Sequence, residues 1–289
     1  MNKNLKEYLL ETHTIPTVKI YLRDIRFFLG YMTEEKAVTA TYQDILQYVE
    51  YLRKQYSNAR TINRMLYGVK AWYFFLFQKG IRKDHPCRFL RLRDAGNEPV
   101  QLQDLFTTSE LEQLMNRKER YESLRIRNQV IMSRLIYQAL RLSEITNLKV
   151  QDVNLEEGTV YIRETPRSVS RTLKLRSNQV MILYKYIHEI RVRVNKTDTD
   201  QLVLTIRGTI ENGEGINYLV GTFKNLFPDR NLNAQTIRQS VIANMLKTGK
   251  DLRVVQAFAG HRKPSSTEKY RQTGLEELKS VIQKLHPLG

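Results

Sequence analysis

Four residues in the second half of the chain have side chains of the types that act on phosphate groups: Arg141, Arg238, His261 and Tyr270. An arginine carries a permanent charge on a planar fork, which suits it to hold phosphate oxygens. A histidine can hydrogen-bond a phosphate or transfer a proton near neutral pH. A tyrosine hydroxyl can serve as a nucleophile.

Taken singly, each of these residues has an ordinary structural explanation. The chain contains 16 tyrosines, so one near the C-terminus carries little weight by itself. Arg141 with Glu144 one turn later is typical of a surface ion pair, and His261 after a helix-ending glycine is typical of a cap. The order and intervals of the four residues favour the catalytic interpretation. For Glu144, the spacing favours orienting Arg141 or supporting the helix over a part in the chemistry.

Short motifs surround the four residues. The first reads Ala-Leu-Arg-Leu-Ser-Glu over 139–144, and the second reads Gln-Thr-Ile-Arg-Gln over 235–239. The stretch Asp-Leu-Arg-Val-Val-Gln over 251–256 precedes Gly260-His261, and Ser-Ser-Thr over 265–267 precedes Tyr270. Each motif alone is weak, but four in this order form a specific pattern.

In these motifs the chain resembles the tyrosine recombinases, or phage integrase family, in the compact Xer layout. Family members have Gly-Leu-Arg-x-Ser-Glu in the first motif and His-x-Leu-Arg-His in the second. The resemblance covers nearly the whole chain. It implies a mainly α-helical fold with a small antiparallel sheet, forming a C-shaped DNA clamp. Its parts are a helical, SAM-like core-binding domain at 1–87, a linker at 88–105, a catalytic domain at 106–273 and a tail helix at 274–289.

The resemblance also implies a mechanism. Tyr270 would attack a DNA phosphate, form a 3′-phosphotyrosyl link and free a 5′-hydroxyl. Arg141 and Arg238 would stabilise the charge on the non-bridging oxygens, and His261 would bind the phosphate or assist proton transfer, so no metal or other cofactor is needed. The partner would be double-stranded DNA with inverted-repeat core sites, and a homotetramer would exchange strands through a Holliday junction. Integration, excision, inversion, transposition and dimer resolution all remain open outcomes.

Two departures from the family pattern concern proton transfer. Gln235 stands where the family has a histidine, and glutamine can donate a hydrogen bond but cannot shuttle a proton at neutral pH. The family's hairpin lysine, the acid for the leaving oxygen, is missing at its expected place, where the turn offers Arg167. Either Arg167 stabilises charge only, or Lys174 reaches in, or the hairpin is shifted; Arg163 and Arg171 flank the same turn.

Composition and charge limit the class of protein. The 47 Lys and Arg residues against 30 Asp and Glu give a net charge of +17, which favours a polyanionic partner such as nucleic acid. Residues 1–100 carry 17 basic and 10 acidic residues and the remainder 30 and 20, so both parts are basic. One cysteine excludes a disulfide framework and a cysteine-rich metal site. The five scattered histidines show no ligand spacing, and a metal site built mainly of carboxylates stays open although nothing marks one. Without a long apolar run or a secretion signal, we expect a cytoplasmic protein that does not enter a membrane.

Helical periodicity dominates residues 1–90, for which we predict four short helices in a bundle. Patterned stretches cover 17–32, 41–56 and 58–79, with Gly80 as a C-cap. Polar and basic residues on the last of these helices, together with arginines in the following segment, predict DNA contacts, although a solvated helix face is the alternative. They are Arg60, Asn63, Arg64, Lys70, Arg88 and Arg91.

The second domain is predicted to be helical around one hairpin. A capping box over 107–110 opens it, and helices are expected over 124–142, 179–194, 234–247 and 252–259, with strands at 160–164 and 172–175. Residues 274–285 predict an amphipathic tail helix. Its apolar stripe could fold back on its own domain, but the resemblance favours docking on a neighbouring subunit.

Two other functions fit the same residues. A catalytically decayed DNA-binding protein on this scaffold would explain Gln235 and the missing lysine, although the intact Tyr270 and both arginines favour activity. A topoisomerase-like DNA relaxer would share the chemistry.

Overall fold

The computed structural model describes residues 2–95, 105–116 and 119–271. The chain divides into two compact units, Met1–Glu98 and Pro99–Gly289. Across the described ranges, no helix is long and apolar enough to cross a membrane.

The N-terminal unit contains five helices in its described part. They are α1 (Asn2–Thr12), α2 (Ile15–Met32), α3 (Glu34–Thr39), α4 (Tyr42–Gln55) and α5 (Ala59–Gln78). The Thr41 and Asp44 side chains form a capping box that begins α4. Gly80 follows α5 with φ of 71°, the left-handed conformation that favours glycine at a helix end.

The four-helix prediction for this unit was wrong because it missed a helix of six residues, α3. Thr33 separates α3 from α2, and its φ of 66° breaks the helix without a glycine or proline to mark the break. Six residues are too few for a helical period to be visible in the sequence.

The core of the N-terminal unit lies where α2 crosses α5. Phe28 of α2 packs edge-on against Tyr48, Trp72 and Tyr73, with ring centroids 4.9, 5.9 and 6.0 Å away. All four side chains are almost fully buried. Burial of aromatic surface on this scale fixes the crossing of the two helices and thereby the position of their outer faces.

The C-terminal unit combines short and long helices with a three-stranded sheet. Its helices are α6 (Thr108–Gln113), α7 (Glu122–Gln138), α8 (Leu142–Thr146), α9 (Ser177–Lys185), α10 (Val192–Val194), α11 (Gly213–Gly221), α12 (Ala234–Lys247) and α13 (Leu252–Ala259). The strands are β1 (Val153–Asn154), β2 (Thr159–Ile162) and β3 (Arg171–Lys174), paired antiparallel in that order.

The pairing of β2 with β3 shows which side chains of the hairpin face the core. Val160 pairs with Leu173 and Ile162 with Arg171. Because side chains alternate along a strand, Arg171 lies on the same face as the buried Leu173, whereas Thr172 and Lys174 lie on the exposed face. The hairpin therefore directs Arg171, and not Lys174, toward the core.

Four details of the C-terminal unit differ from the sequence prediction. The helix predicted over 124–142 ends at Gln138, because Ala139 adopts a left-handed conformation with φ of 50° and α8 starts afresh. The helix predicted over 179–194 is interrupted by a π-helical turn, Tyr186–Arg191, whose one-residue shift is not visible in a hydrophobic period. Strand β1 and helix α11 were not predicted. The predicted tail helix at 274–289 lies outside the described residues.

Candidate active site

Arg141 lies at the junction between two helices. Its backbone N–H donates to Glu144 Oε2 at 2.9 Å, and its Nη1 lies 3.5 Å from Glu144 Oε1. The carboxylate thus closes the first turn of α8 and holds the guanidinium at the same time. The Arg141 side chain keeps 24% of its surface exposed, whereas Glu144 has none exposed.

A second arginine holds the same carboxylate from the sheet. The Nη1 and Nη2 atoms of Arg171 each donate to one oxygen of Glu144 at 3.0 Å, and its Nε donates to the Phe258 carbonyl at 2.7 Å. Such a two-point contact fixes both planes against each other. Strand β3, helix α8 and the end of α13 are therefore joined through one buried arginine.

Arg238 reaches the site from α12. Its Nη1 donates to the Ala139 carbonyl and lies 4.0 Å from Glu144 Oε2, and its Nη2 donates to the Ala259 carbonyl at 2.6 Å. The residue is only 2% exposed. Burial, with the nearby charge of Arg141, lowers the pKa of Arg238 to about 9, so it still carries its charge at neutral pH.

Glu144 is the counter-ion of this cluster. Burial alone would raise its pKa, but the hydrogen bonds and charge of Arg171, the Arg141 amide and the charge of Arg238 lower the pKa to about 2. The site therefore holds three guanidiniums around one carboxylate. This excess of positive charge suits the binding of an anion such as a phosphate.

His261 follows Gly260, which ends α13 with φ of 64°. A side chain at Gly260 would collide with the Arg171 guanidinium, so glycine is required by conformation and by space. The His261 Nδ1 lies 2.8 Å from Thr267 Oγ1. Burial and the charges of Arg238, Arg141 and Arg171 lower the pKa of His261 to about 4, so the imidazole is neutral at pH 7.

Tyr270 lies within electrostatic reach of Arg238 and Arg141 in its own chain. Its ring packs on the small cluster of Ile242, Val255 and Ala259. Burial raises the pKa of its hydroxyl, while the charges of Arg238 and Arg141 and a hydrogen bond with the Gln239 side chain lower it in part. The phenol is therefore protonated at pH 7 and needs a proton acceptor before it can attack.

The structure thus brings together Arg141, Arg238, His261 and Tyr270, as the motif spacing predicts. Two guanidiniums can hold the oxygens of one phosphate, a neutral imidazole can accept a proton, and a phenol can act as nucleophile. Within the described ranges, no group of three or more His, Cys, Asp or Glu side chains could hold a metal ion.

Arg167 lies on a turn that is hydrogen-bonded to Gly260 and Arg262, the residues on either side of His261. The Val169 N–H donates to the Gly260 carbonyl at 3.2 Å, and Arg262 donates to the Thr165 carbonyl at 3.0 Å. The turn therefore lies against the loop that carries His261, although Arg167 itself is exposed. Lys174 lies on the exposed face of β3, away from Arg171.

Gln235 occupies the first turn of α12, one turn before Arg238. Its side chain is exposed, and among the described residues it makes no hydrogen bond. The glutamine is therefore on the same side of the helix as Arg238 without being joined to the buried cluster.

Five of the six predicted DNA contacts of the N-terminal unit line one of two grooves beside α5. One groove is lined by Asn63, Lys70, Arg88 and Arg91; in it, Lys70 donates to the Leu90 carbonyl and Arg88 lies over the rings of Phe74 and Phe89. Arg64 lines a different groove with arginines of α2. Arg60 is exposed at the first turn of α5.

Sequence reasoning missed two sets of cations. Arg171 was noted only as a flank of the hairpin turn, although its alternation with Leu173 marks it as inward-facing. Arg23 and Arg26 of α2 were not considered as nucleic-acid contacts, although they and Arg64 share one groove. Their spacing along α2 was a visible signal of a basic helix edge.

Comparison with known proteins gives matches over both units. The model of the phage integrase family matches residues 104–276, and that of the phage integrase N-terminal SAM-like domain matches 3–80. The tyrosine recombinase XerD of Listeria monocytogenes is 26% identical, over 94% of this chain and 92% of the relative. XerC of Oceanobacillus iheyensis is 27% identical, over 97% and 94%.

Solved structures share the fold. The XerH site-specific recombinase bound to a palindromic difH substrate has a TM-score of 0.75 and 18% identity, over 92% of this chain and 80% of that one. The Tn1549 transposon integrase with transposon right end DNA has a TM-score of 0.69 and 15% identity, over 98% of each chain. The predicted fold class, mainly α-helical with a small antiparallel sheet, is confirmed.

Proposed function

Because the chain belongs to the phage integrase family, we propose that it is a site-specific DNA recombinase of the tyrosine type. It cuts and rejoins DNA through a 3′-phosphotyrosyl intermediate and a Holliday junction, without a metal ion. The observation that carries this proposal is the meeting of Arg141, Arg238 and Tyr270 at one site within a single chain.

In the proposed mechanism, Arg141 and Arg238 bind the non-bridging oxygens of the scissile phosphate. Arg141 is the more exposed of the two, and Arg238 is fixed by two backbone carbonyls. The positions of the two guanidiniums are set before DNA binds. Glu144, which is held by Arg171, hydrogen-bonds Arg141, and backbone carbonyls hold Arg238. Preorganised charge of this kind stabilises the pentacoordinate transition state without reorganisation during the reaction.

The Tyr270 oxygen attacks the phosphorus, so an O–P bond to tyrosine forms as the bond to the 5′-oxygen breaks. The phenolic proton passes to solvent, and His261, which is neutral at pH 7, hydrogen-bonds the phosphate or assists this transfer. The leaving 5′-oxygen takes up a proton from solvent, and Arg167 stabilises its charge from the adjacent turn, because a guanidinium does not readily release a proton. Gln235 contributes at most a hydrogen bond to the phosphate.

The proposed partner is double-stranded DNA with inverted-repeat core sites, in the cytoplasm of a bacterial-type cell. Both basic units would grip one half-site, through Arg60, Asn63, Arg64, Lys70, Arg88 and Arg91 in the N-terminal unit. The XerH and Tn1549 structures are of proteins in complex with their DNA sites, which supports this partner.

A homotetramer would bring two sites together. An apolar groove on the C-terminal unit, lined by Leu111, Ile136, Val241, Met245 and Phe258, supports the docking of another chain's tail. The apolar stripe over 275–285 in the sequence fits such a groove. Removing residues 274–289 should leave binding of one protomer per half-site intact and abolish four-protomer complexes in light scattering. A truncated chain that still forms tetramers on DNA contradicts this part of the proposal.

The chemistry is tested with a suicide duplex. A binding site is first selected from a random duplex library with the full chain, and a nick next to the cleavage position then lets the 5′-hydroxyl fragment diffuse away. The unaltered chain should form a complex that survives denaturing electrophoresis, and Tyr270→Phe should form none. Tyr161→Phe, at an exposed tyrosine on β2, is the matched control and should react normally.

Other outcomes identify the alternative functions. Specific binding without any covalent complex would indicate a DNA-binding protein that has lost the chemistry. Relaxation of plasmids that lack the selected site would indicate a topoisomerase-like relaxer.

A further inference from the structure

An ion pair with a buried carboxylate joins helices α2 and α5 of the N-terminal unit. Asp24 of α2 is 2% exposed, and its Oδ2 accepts a hydrogen bond from Nη1 of Arg64 on α5, whose side chain is 36% exposed. The helices approach closely because Gly68 lies at the crossing: a Cβ there would be 3.1 Å from Asp24 Cβ and 3.4 Å from the Tyr21 carbonyl oxygen. The pair is therefore held by the packing of both helices.

The contact fixes the direction of the arginine. Among the described residues, Asp24 is the only hydrogen-bond partner of the Arg64 side chain. Because Nη1 of Arg64 donates to Asp24, the Nε and Nη2 donors of the same side chain remain for another partner. A guanidinium that a buried carboxylate already holds at one nitrogen loses less side-chain entropy when it binds, which favours a partner that requires a defined direction.

The carboxylate also changes what Arg64 binds best. Asp24, which also lies 3.5 Å from Arg23, compensates part of the charge of Arg64, so Arg64 gains less from a phosphate than an arginine without an acidic neighbour. Guanine presents two neutral acceptors, O6 and N7, in the major groove, and a planar fork matches them in direction and spacing. The partly compensated charge and the restrained side chain therefore both favour a base edge over the backbone.

Other side chains in the same groove can supply the phosphate contacts. Arg26 is exposed and, within the described part of the chain, makes no ion pair. Arg23 is 68% exposed and lies 3.5 Å from the same carboxylate. The groove thus places one arginine held by a buried carboxylate beside two more exposed ones, which matches the division between base reading and backbone positioning in DNA recognition.

We propose that Arg64 reads a guanine in the major groove of the target half-site and that Asp24 is the positioning residue that aims it. This inference rests on the proposed function, because it requires that the N-terminal unit binds specific duplex DNA. It assigns the choice of one base pair to a single side chain.

The test compares binding-site selection by four full-length proteins from one random duplex library at fixed salt. The unaltered chain should select a site with a guanine at a defined position in each half-site. Arg64→Lys keeps the charge and can still pair with Asp24, so the protein should fold, and its preference for that guanine should fall by about 10-fold to 100-fold. Asp24→Asn should weaken the same position and no other.

Arg26→Lys is the matched control, with the same exchange in the same groove but without a buried carboxylate beneath it. Its selected sequence should be unchanged. A guanine preference that survives Arg64→Lys, or an equal loss at all positions in Arg64→Lys and Arg26→Lys, overturns this inference and leaves the proposed function intact. Failure of the unaltered chain to select any sequence overturns both.

Discussion

Replacing Glu144 by glutamine tests the electrostatic balance of the site. The carboxylate has no exposed surface and is the counter-ion of Arg141, Arg171 and Arg238. Its pKa is lowered from 4.5 to about 2, and a shift of this size corresponds to about 3 kcal/mol of folding free energy. We therefore expect Glu144→Gln to lower the free energy of unfolding of the C-terminal unit by about 3 kcal/mol at pH 7.

The loss depends on pH in a defined direction. A carboxylate whose pKa is lower in the folded than in the unfolded state stabilises the fold fully above its unfolded pKa, and this stabilisation is lost as the pH falls. The difference between the unaltered chain and Glu144→Gln should therefore be constant above pH 4.5 and shrink as the pH falls toward 2.

This loss is measured by urea unfolding, with hydrogen exchange of peptides from α8 and α12 as the readout. Trp72, the one tryptophan of the chain, lies in the N-terminal unit and reports on it separately by fluorescence. Glu110→Gln is the control: the Arg230 hydrogen bond, opposed by burial and helped by the hydrogen bonds from Thr107, also lowers that pKa to about 2. The Glu110–Arg230 pair is partly exposed, so the loss at Glu110 should stay below about 1 kcal/mol. Equal losses for the two variants, or a loss at Glu144 independent of pH, would refute the reasoning.

Three further changes give separate outcomes. His261 has a pKa near 4 in the fold against 6.5 unfolded, so the free energy of unfolding should decline by up to about 3 kcal/mol as the pH falls from 6.5 to 4. In His261→Asn, urea titrations should show a much smaller change of this free energy over the same pH range. Arg134 is fully buried on α7, and its Nε and Nη1 have no hydrogen-bond partner among the described residues. Arg134→Met should therefore stabilise the fold by about 1–4 kcal/mol and raise the thermal midpoint. A lowered midpoint would show that the charge is needed. Ala139 has a φ of 50°, so Ala139→Gly should be neutral or stabilising, whereas Ala243→Gly within α12 should cost about 1 kcal/mol in chemical unfolding; equal costs would contradict the conformational argument.

The sequence was sufficient for the family and for the main residues of the site. Motif order predicted that Arg141, Arg238, His261 and Tyr270 meet, and two of them, Arg141 and His261, lie next to helix boundaries. Asp251 as the cap of α13 and Gly260 as its end were both visible in the sequence, and the structure has them there. The catalytic roles of these residues stay predictions until they are tested by variants.

What the sequence could not supply depends on contacts between distant segments. Arg171 is joined to Glu144 and to the Phe258 carbonyl, and no local pattern connects these three positions. The break at Ala139 was missed because alanine seldom adopts a positive φ. In the fold Ala139 is fully buried, and its carbonyl accepts a hydrogen bond from the distant Arg238. The same limit applies to Asp24, whose pairing with Arg64 comes from the crossing of two helices.

The measurement that tests the central claim most directly is the chemical identity of the protein–DNA link. The covalent complex formed on the suicide duplex is digested with protease and nuclease, and the modified peptide is sequenced by mass spectrometry. The account predicts one nucleotide attached through its 3′-phosphate to the oxygen of Tyr270, with a free 5′-hydroxyl on the released strand. Attachment to a different residue, or through a 5′-phosphate, would contradict it.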